Sequence, residues 1–154
     1  MERLFPTPYE EMIYTAAEEN HLSPALLYAL IKAESNFDTE AISVKGAKGL
    51  MQLMDETAQW CGKKAGLSAG NLLEPEENIF LGAYYIGYLL SLYQGEETCA
   101  LAAYNAGQGR VNSWLRDSRY SADGKTLHTI PFPETEKYVK KIRLYKKIYE
   151  RKLA

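Results

Sequence analysis

The sequence is poor in the residues that build metal centres and disulfide frameworks, with two cysteines and two histidines in 154 residues. Cys61 and Cys99 lie too far apart for a Cys-x-x-Cys motif, and only His21 and His128 stand beside them, which argues against a Cys/His metal site. Two fates stay open for the cysteines: one disulfide if the protein is exported, or two buried thiols. No apolar run reaches the roughly 20 residues that cross a bilayer, and the N-terminal stretch MERLFPTPYEE lacks the apolar core of a signal peptide. Nowhere do apolar and polar residues alternate long enough to specify a strand. A net charge of −2 gives no general pull toward nucleic acid or an anionic membrane. Internal repeats and low-complexity linkers are missing too.

What is present reads as helix. Hydrophobic residues make up 46% of the chain and charged residues 25%, and the length suits one domain, 1–154, burying roughly two-thirds of its unfolded surface. Twelve of the eighteen aromatics are Tyr, read here chiefly as packing at the edges of a helical core. Tyr9 to Asn20 carries Met12, Ile13, Ala16 and Ala17 on one side. Ser23 then caps a helix with Pro24 in its first turn. Gly46 to Gly49 reads as a turn, LMQLMDETAQW as renewed helix, and Gly62 to Leu73 as a looser stretch. Pro75 opens a long helix with Glu76 and Glu77 in its first turn, and Gly95 ends it. TCALAAYNAG is a short, nearly all-apolar helix stopped by Gly107; Gln108-Gly109 turns into RVNSWL. Ser118 to Pro133 is surface loop, and the last helix starts near Glu134 with Tyr138, Ile142, Tyr145 and Tyr149 on one face. The fold class is all-α.

One residue in this pattern is out of place. Leu27, Leu30, Ile31 and Glu34 fall at i, i+3, i+4 and i+7, a single helical stripe whose fourth member is a carboxylate. A solvated or salt-bridged glutamate, with Lys32 or Lys48 as partner, is the ordinary explanation. The other is chemical. Partial desolvation disfavours the charged form of a carboxyl, and a carboxyl poised near neutrality is what a general acid requires.

The residues around Glu34 decide between them by resemblance. ESNF followed by AISVKGAKGLMQLMDETA, then NIFLGAYYIGYLL, ALAAYNAGQGRV with Trp114, and IPFPETEKYV resemble, in order and spacing, the blocks of the soluble lytic transglycosylase (SLT) family over about residues 22–149. The resemblance implies a lysozyme-like helical domain of goose-lysozyme type with a groove lined by several helices. It implies cleavage of the β-1,4 bond between N-acetylmuramic acid and N-acetylglucosamine, leaving a 1,6-anhydromuramoyl end. Its partners would be peptidoglycan strands and muropeptides, with the chain acting as a monomer outside the cytoplasm, and without metal or organic cofactor.

Carried over position by position, the resemblance makes Glu34 the single catalytic acid/base. Ser43 matches a position that hydrogen-bonds substrate, and it also suits a turn before Gly46. Gln52 and Met54 match groove-lining positions, although Met54 and its neighbour Met51 suit core packing equally on spacing alone. Tyr104 and Asn105 match residues facing the catalytic carboxyl; Asn105 also suits a purely structural role at the helix end. Glu134 matches a position toward the bound muropeptide, against the alternative of a first-turn acid stabilising its own helix.

A two-carboxylate glycosidase needs a second acid at a set separation. Asp38, Glu40, Asp55 and Glu56 are near in sequence, but the first two fall in a turn and the last two stand at a helix position where the family usually has Pro. Thr39 also replaces a common Pro; both departures suit a turn or helix start. GLSAG, Gly66 to Gly70, matches the Gly-x-Ser-x-Gly of serine hydrolases, yet that elbow needs a strand leading in. A hydrolytic goose-type muramidase and a non-catalytic peptidoglycan-binding module remain as alternatives; the second gains nothing from a carboxyl on an apolar stripe. The lysines of the last helix form a solvated face.

Overall fold

The computed structural model describes residues 4–154, so the first three residues of MERLFPTPYEE lie outside the described residues. Seven helices follow in order: α1 Glu10–Glu19, α2 Pro24–Ser35, α3 Asp55–Ala65, α4 Pro75–Leu92, α5 Glu97–Ala106, α6 Gln108–Leu115 and α7 Pro133–Leu153. The extended structure among the described residues is two isolated antiparallel bridges, Ile42 with Lys48 and Lys48 with Leu53. None of these helices is long and apolar enough to cross a membrane. The chain divides into two compact units, residues 1–85 with 144–154, and residues 86–143.

In the first unit, α2 supplies the centre of the core. Ser23 accepts from the Ala25 N–H at 3.1 Å, Pro24 needs no hydrogen-bond acceptor in the first turn, and Ala25 to Ile31 are all buried. Asn36, in the left-handed conformation at φ 51°, closes the helix by sending its N–H back to Ile31 and Lys32. Tyr28 and Tyr149 are fully buried and stacked at 5.1 Å, so these tyrosines form core rather than edge. Their hydroxyls donate to the Pro8 and Pro6 carbonyls, and the Lys152 ammonium donates to Phe5, which pins the segment before α1. Buried hydroxyls are kept because each finds a carbonyl.

The structure differs from the sequence reading between Gly46 and Asp55. LMQLM is not helical; α3 begins at Asp55. Gly49 (φ 76°) and Gln52 (φ 51°) are left-handed, and residues 49–52 make a second tight turn behind the one at 43–47. An apolar run with helical spacing is here a buried turn, because its backbone groups pair elsewhere: Lys48 and Leu53 exchange both N–H bonds, and Asn78 takes the Met51 N–H. α3 also continues past Gly62 to a left-handed Gly66. Gly62 is the point where the following loop folds back, and a Cβ there would stand 2.8 Å from the Leu67 carbonyl oxygen. GLSAG is that loop, with the Ser68 hydroxyl donating to Glu77.

In the second unit, Cys99 to Ala103 of α5 are entirely buried, as the all-apolar pattern requires. Gly107 (φ 94°) separates α5 from α6, and Gln108-Gly109 is already the first turn of α6 rather than a lead-in. Trp114 of α6 is buried edge-on against Phe132 at 5.2 Å, and Arg110 lies over the same ring. The surface loop before α7 is ordered by its own acids. The Asp123 carboxyl accepts from the Lys125 and Thr126 N–H groups and the Thr126 hydroxyl, which holds its pKa down to about 2.

Both cysteines are buried free thiols, and burial raises the pKa of Cys61 to about 12 and that of Cys99 to about 11 from an ordinary 9.0. The reactive species is the thiolate. Iodoacetamide at pH 8 should therefore leave the folded protein unmodified and alkylate both thiols in urea, as read by intact mass. Because the folded state holds these protons more tightly than the unfolded chain, stability should be full below pH 9 and fall as the pH rises toward 12 in urea titrations. A second contrast tests the turn. At Gly49 a Cβ would come within 2.3 Å of the Leu72 carbonyl oxygen, whereas at Gly66, also left-handed, it meets open space. Gly66→Ala should cost about 1 kcal/mol, and Gly49→Ala about 3 kcal/mol or more, compared by chemical denaturation.

Candidate active site

Glu34 stands in the last turn of α2, one residue before its end. The three apolar members of its stripe, Leu27, Leu30 and Ile31, are fully buried, while Glu34 itself is half-buried, so the stripe runs from the core toward the surface. Neither lysine named as a partner is idle: Lys32 donates to the Asn36 side chain at 2.7 Å, and Lys48 pairs with Asp55 at 3.1 Å. Immediately after α2, Asn36 and Phe37 are both left-handed, which turns the chain sharply just beyond the carboxylate.

Ser35 ties this helix end to the double turn. Its hydroxyl lies 2.7 Å from the Leu50 carbonyl oxygen and 3.2 Å from that of Ile31; one proton serves one of them, and the shorter contact is across to Leu50. The turn carries three of the candidate residues. Ser43 is exposed, its Oγ accepting from the Ala47 N–H at 2.9 Å and its backbone pairing with Ala47 and Gly46. It is a turn-forming serine, and that bond uses a lone pair, leaving the hydroxyl proton to be donated. Gln52 is half-buried with its amide nitrogen 3.0 Å from the carbonyls of both Ala41 and Gly49, so the group laces the two turns together. The two methionines part company. Met51 is fully buried in a notch where Gly82 of α4 has no side chain, and Met54, 43% exposed, precedes the first residue of α3. Ile42 and Val44 are exposed beside Ser43.

The remaining candidates belong to the second unit. Tyr104 and Asn105 are half-buried in the last turn of α5. The Asn105 carboxamide oxygen accepts from the buried Thr135 hydroxyl at 2.8 Å, which fastens the end of α5 to the start of α7. Glu134 is exposed in the first turn of α7, where an acid complements the helix dipole. Two of the acids weighed as second carboxylates have local occupations: Asp38 accepts from the Glu40 N–H at 3.0 Å within its turn, and Asp55 holds Lys48. Among the described residues no cluster of acids, histidines and cysteines is grouped to hold a metal ion.

Three residues beyond the sequence candidates shape these elements. Asn78 is fully buried in α4; its oxygen accepts from the Met51 N–H at 2.7 Å, and its nitrogen lies 2.9 Å from the Lys48 carbonyl and 2.8 Å from that of Leu72. Ser35 and Thr135 are the others. The signal for Asn78 was present, since Asn78, Gly82 and Ile86 repeat every fourth residue and set a polar group on an apolar face. Ser35 and Thr135 lie inside the blocks ESNF and IPFPETEKYV, but no local spacing shows which distant group each hydroxyl reaches.

The model of the transglycosylase SLT domain matches residues 11–127. The soluble lytic murein transglycosylases of Salmonella typhimurium and Escherichia coli K12 are 35% and 36% identical to 97% of this chain. The chain spans about a quarter of their length, 24% in each case. Among solved structures, an inactive mutant of lytic transglycosylase Slt from Pseudomonas aeruginosa, in which one glutamate is replaced by glutamine, superimposes with a TM-score of 0.88 at 39% identity, over 97% of this chain and 25% of that one. The 70 kDa soluble lytic transglycosylase solved with bulgecin A gives 0.88 at 33% identity, with the same coverage. The all-α, lysozyme-like fold read from the sequence holds, and the chain belongs to the transglycosylase SLT domain family.

Proposed function

We propose that this chain is a peptidoglycan lytic transglycosylase that cleaves the bond between N-acetylmuramic acid and N-acetylglucosamine with Glu34 as its one acid/base. The observation that carries the reading is Glu34 itself: a half-buried carboxyl ending a stripe of fully buried residues, in a chain of this family. A Glu-to-Gln change that inactivates a relative supports giving the chemistry to a glutamate.

In the proposed sequence Glu34 enters protonated and gives its proton to the glycosidic oxygen as the bond from C1 of the muramic acid breaks. Positive charge develops at C1, and the 2-acetamido group of the same sugar helps to spread it. The Glu34 carboxylate then takes the proton of the C6 hydroxyl while that oxygen bonds to C1. The products are a 1,6-anhydro ring and a free 4-hydroxyl on the departing sugar. No water is consumed, and the carboxyl ends as it began. A second carboxylate is not required, in keeping with the local occupations of Asp38 and Asp55. Neither a metal nor an organic cofactor enters any step.

Ser43, with a proton left to donate, and exposed Met54 are proposed as glycan contacts in the first unit. Gln52 shapes the same double turn from within. Tyr104, Asn105 and Glu134 are proposed as substrate residues of the second unit, Asn105 through the bond that fixes it to Thr135. On this reading the chain works as a monomer, outside the cytoplasm, at the cell wall.

Mass spectrometry of muropeptides released from purified peptidoglycan tests the proposal. Wild type should release products one water lighter than those of a hydrolytic lysozyme. Glu34→Gln should lose activity by about a thousandfold or more, since general acid–base catalysis contributes typically 10²–10⁴-fold per step. Ordinary reducing ends would make the chain a hydrolytic muramidase, and wall binding without products would make it a binding module. Ser43→Ala should lower turnover by roughly tenfold, the scale of one hydrogen bond worth about 1–1.5 kcal/mol.

A further inference from the structure

A glutamate on the last turn of a helix is held less firmly than one in its middle, since the final carbonyls lack partners within the helix. Four hydrogen bonds and two close approaches in the first unit oppose that loosening. Ser35, the residue after Glu34, donates to the Leu50 carbonyl at 2.7 Å. Leu50 belongs to the turn at 48–53, whose Lys48 carbonyl and Met51 N–H are both held by the side chain of Asn78, at 2.9 and 2.7 Å. The remaining donor of Asn78 holds the Leu72 carbonyl at 2.8 Å, so the amide joins three stretches of backbone and is itself fully buried. One turn further along α4, Gly82 leaves the notch that receives Met51; a Cβ there would lie 2.4 Å from the Met51 sulfur. Gly49 completes the fit, because a Cβ at that position would stand 2.3 Å from the Asn78 amide nitrogen.

We propose that Asn78 is a positioning residue for the acid/base, acting through the 48–53 turn and the Ser35–Leu50 bond to fix the last turn of α2 and with it the Glu34 carboxyl. The inference rests on the assignment of Glu34 given above. Near the start of α4, Asn78 and Gly82 together make a seat for the turn. The turn in turn supplies the acceptor that Ser35 uses. Without the seat, the buried Met51 N–H has to find another partner and the Lys48 carbonyl keeps only the Leu53 N–H, so the Leu50 carbonyl between them moves with the turn. Displacement of a catalytic group by about 1 Å is enough to cost on the order of a hundredfold in rate.

Wild type is compared with Ser35→Ala, Ser35→Thr, Asn78→Ser and Glu34→Gln, well below each melting temperature. Two readouts are taken: kcat and KM for muropeptide release from purified peptidoglycan, and the pH titration of the Glu34 carboxyl carbon in protein labelled with ¹³C-glutamate, assigned by its loss in Glu34→Gln. Ser35 is only half-buried, so Ser35→Ala keeps the test alive should Asn78→Ser fold poorly. Positioning requires kcat to fall about tenfold to a hundredfold in Ser35→Ala with KM little changed, and the Glu34 titration to shift from its wild-type midpoint. Asn78→Ser should move both readouts the same way, and Ser35→Thr should restore both, because threonine keeps the hydroxyl proton that is donated to the Leu50 carbonyl. Wild-type kcat and an unshifted titration in Ser35→Ala overturn the proposal; so do losses in both variants that follow only the folded fraction. If wild type releases no muropeptides while the titration still shifts in both variants, the transglycosylase reading falls and the positioning chain stands.

Discussion

The side-chain amide of Asn78 is the interaction on which the first unit depends. It sits with no exposure to solvent, and both its oxygen and its nitrogen are engaged by main chain: an N–H from Met51 and carbonyls from Lys48 and Leu72. A buried amide left unpaired is destabilising by roughly 1–3 kcal/mol, so pairing with all three partners is what permits a buried polar residue in the first turn of α4. The converse holds for the turn. Residues 48–53 put Leu50, Met51 and Leu53 into the core, and an irregular segment can enter a core only where something else satisfies its backbone. Asn78 does for the turn what a helix or a sheet would have done.

This dependence explains which parts of the structure were legible from sequence. The helices were, because each carries its own instructions. Ser23-Pro24 starts α2, the first-turn acids Glu76 and Glu77 start α4, and Gly107 ends α5, whereas both ends of α3 were misplaced. The turn was not. LMQLM has the apolar spacing of a helix, and the information that prevents one lies 27 residues away, in the bond from Met51 to Asn78. A local reading assigns local hydrogen bonds, and here the decisive partner is distant. The same limit applies to Thr135 and Asn105, whose bond spans 30 residues.

Glu34 and Asn78 are also the same signal with two outcomes: a polar side chain at a helical position reserved for apolar ones. Asn78 is sealed in and spends every hydrogen-bonding group on backbone, which makes it structural. Glu34 is only half-buried, on a stripe that leads out of the core. A neutral amide inside an apolar core needs partners and nothing more, whereas a carboxyl at the boundary can exchange a proton with what lies outside. Burial therefore sorts the two where spacing does not. It sorts the methionine pair in the same way, Met51 to the core and Met54 to the surface.

On the proposed role of Glu34, the end of α2 is where a single acid/base has to be held. Asn36 and Phe37 are consecutive left-handed residues, a conformation disfavoured for side chains with a Cβ and maintained only where the surroundings impose it. Asn36 is helped by its N–H returning to Ile31 and Lys32 and by the Lys32 ammonium on its side chain. Phe37 packs its ring toward Tyr28, 6.3 Å away, itself fixed by the Pro8 carbonyl and the Tyr149 stack. The helix thus stops abruptly one residue beyond Glu34, with Ser35 anchored to Leu50 and Phe37 set toward the aromatic cluster. In an enzyme with two carboxylates, one group protonates while the other attacks or activates water, and each has a single geometry to satisfy. Where one carboxyl must first protonate a departing oxygen and then deprotonate an incoming one, the same oxygen atoms have to serve two positions on the sugar within one cycle. If Glu34 has the role proposed above, a sharply terminated helix end braced by a buried turn is a suitable mount for that double duty.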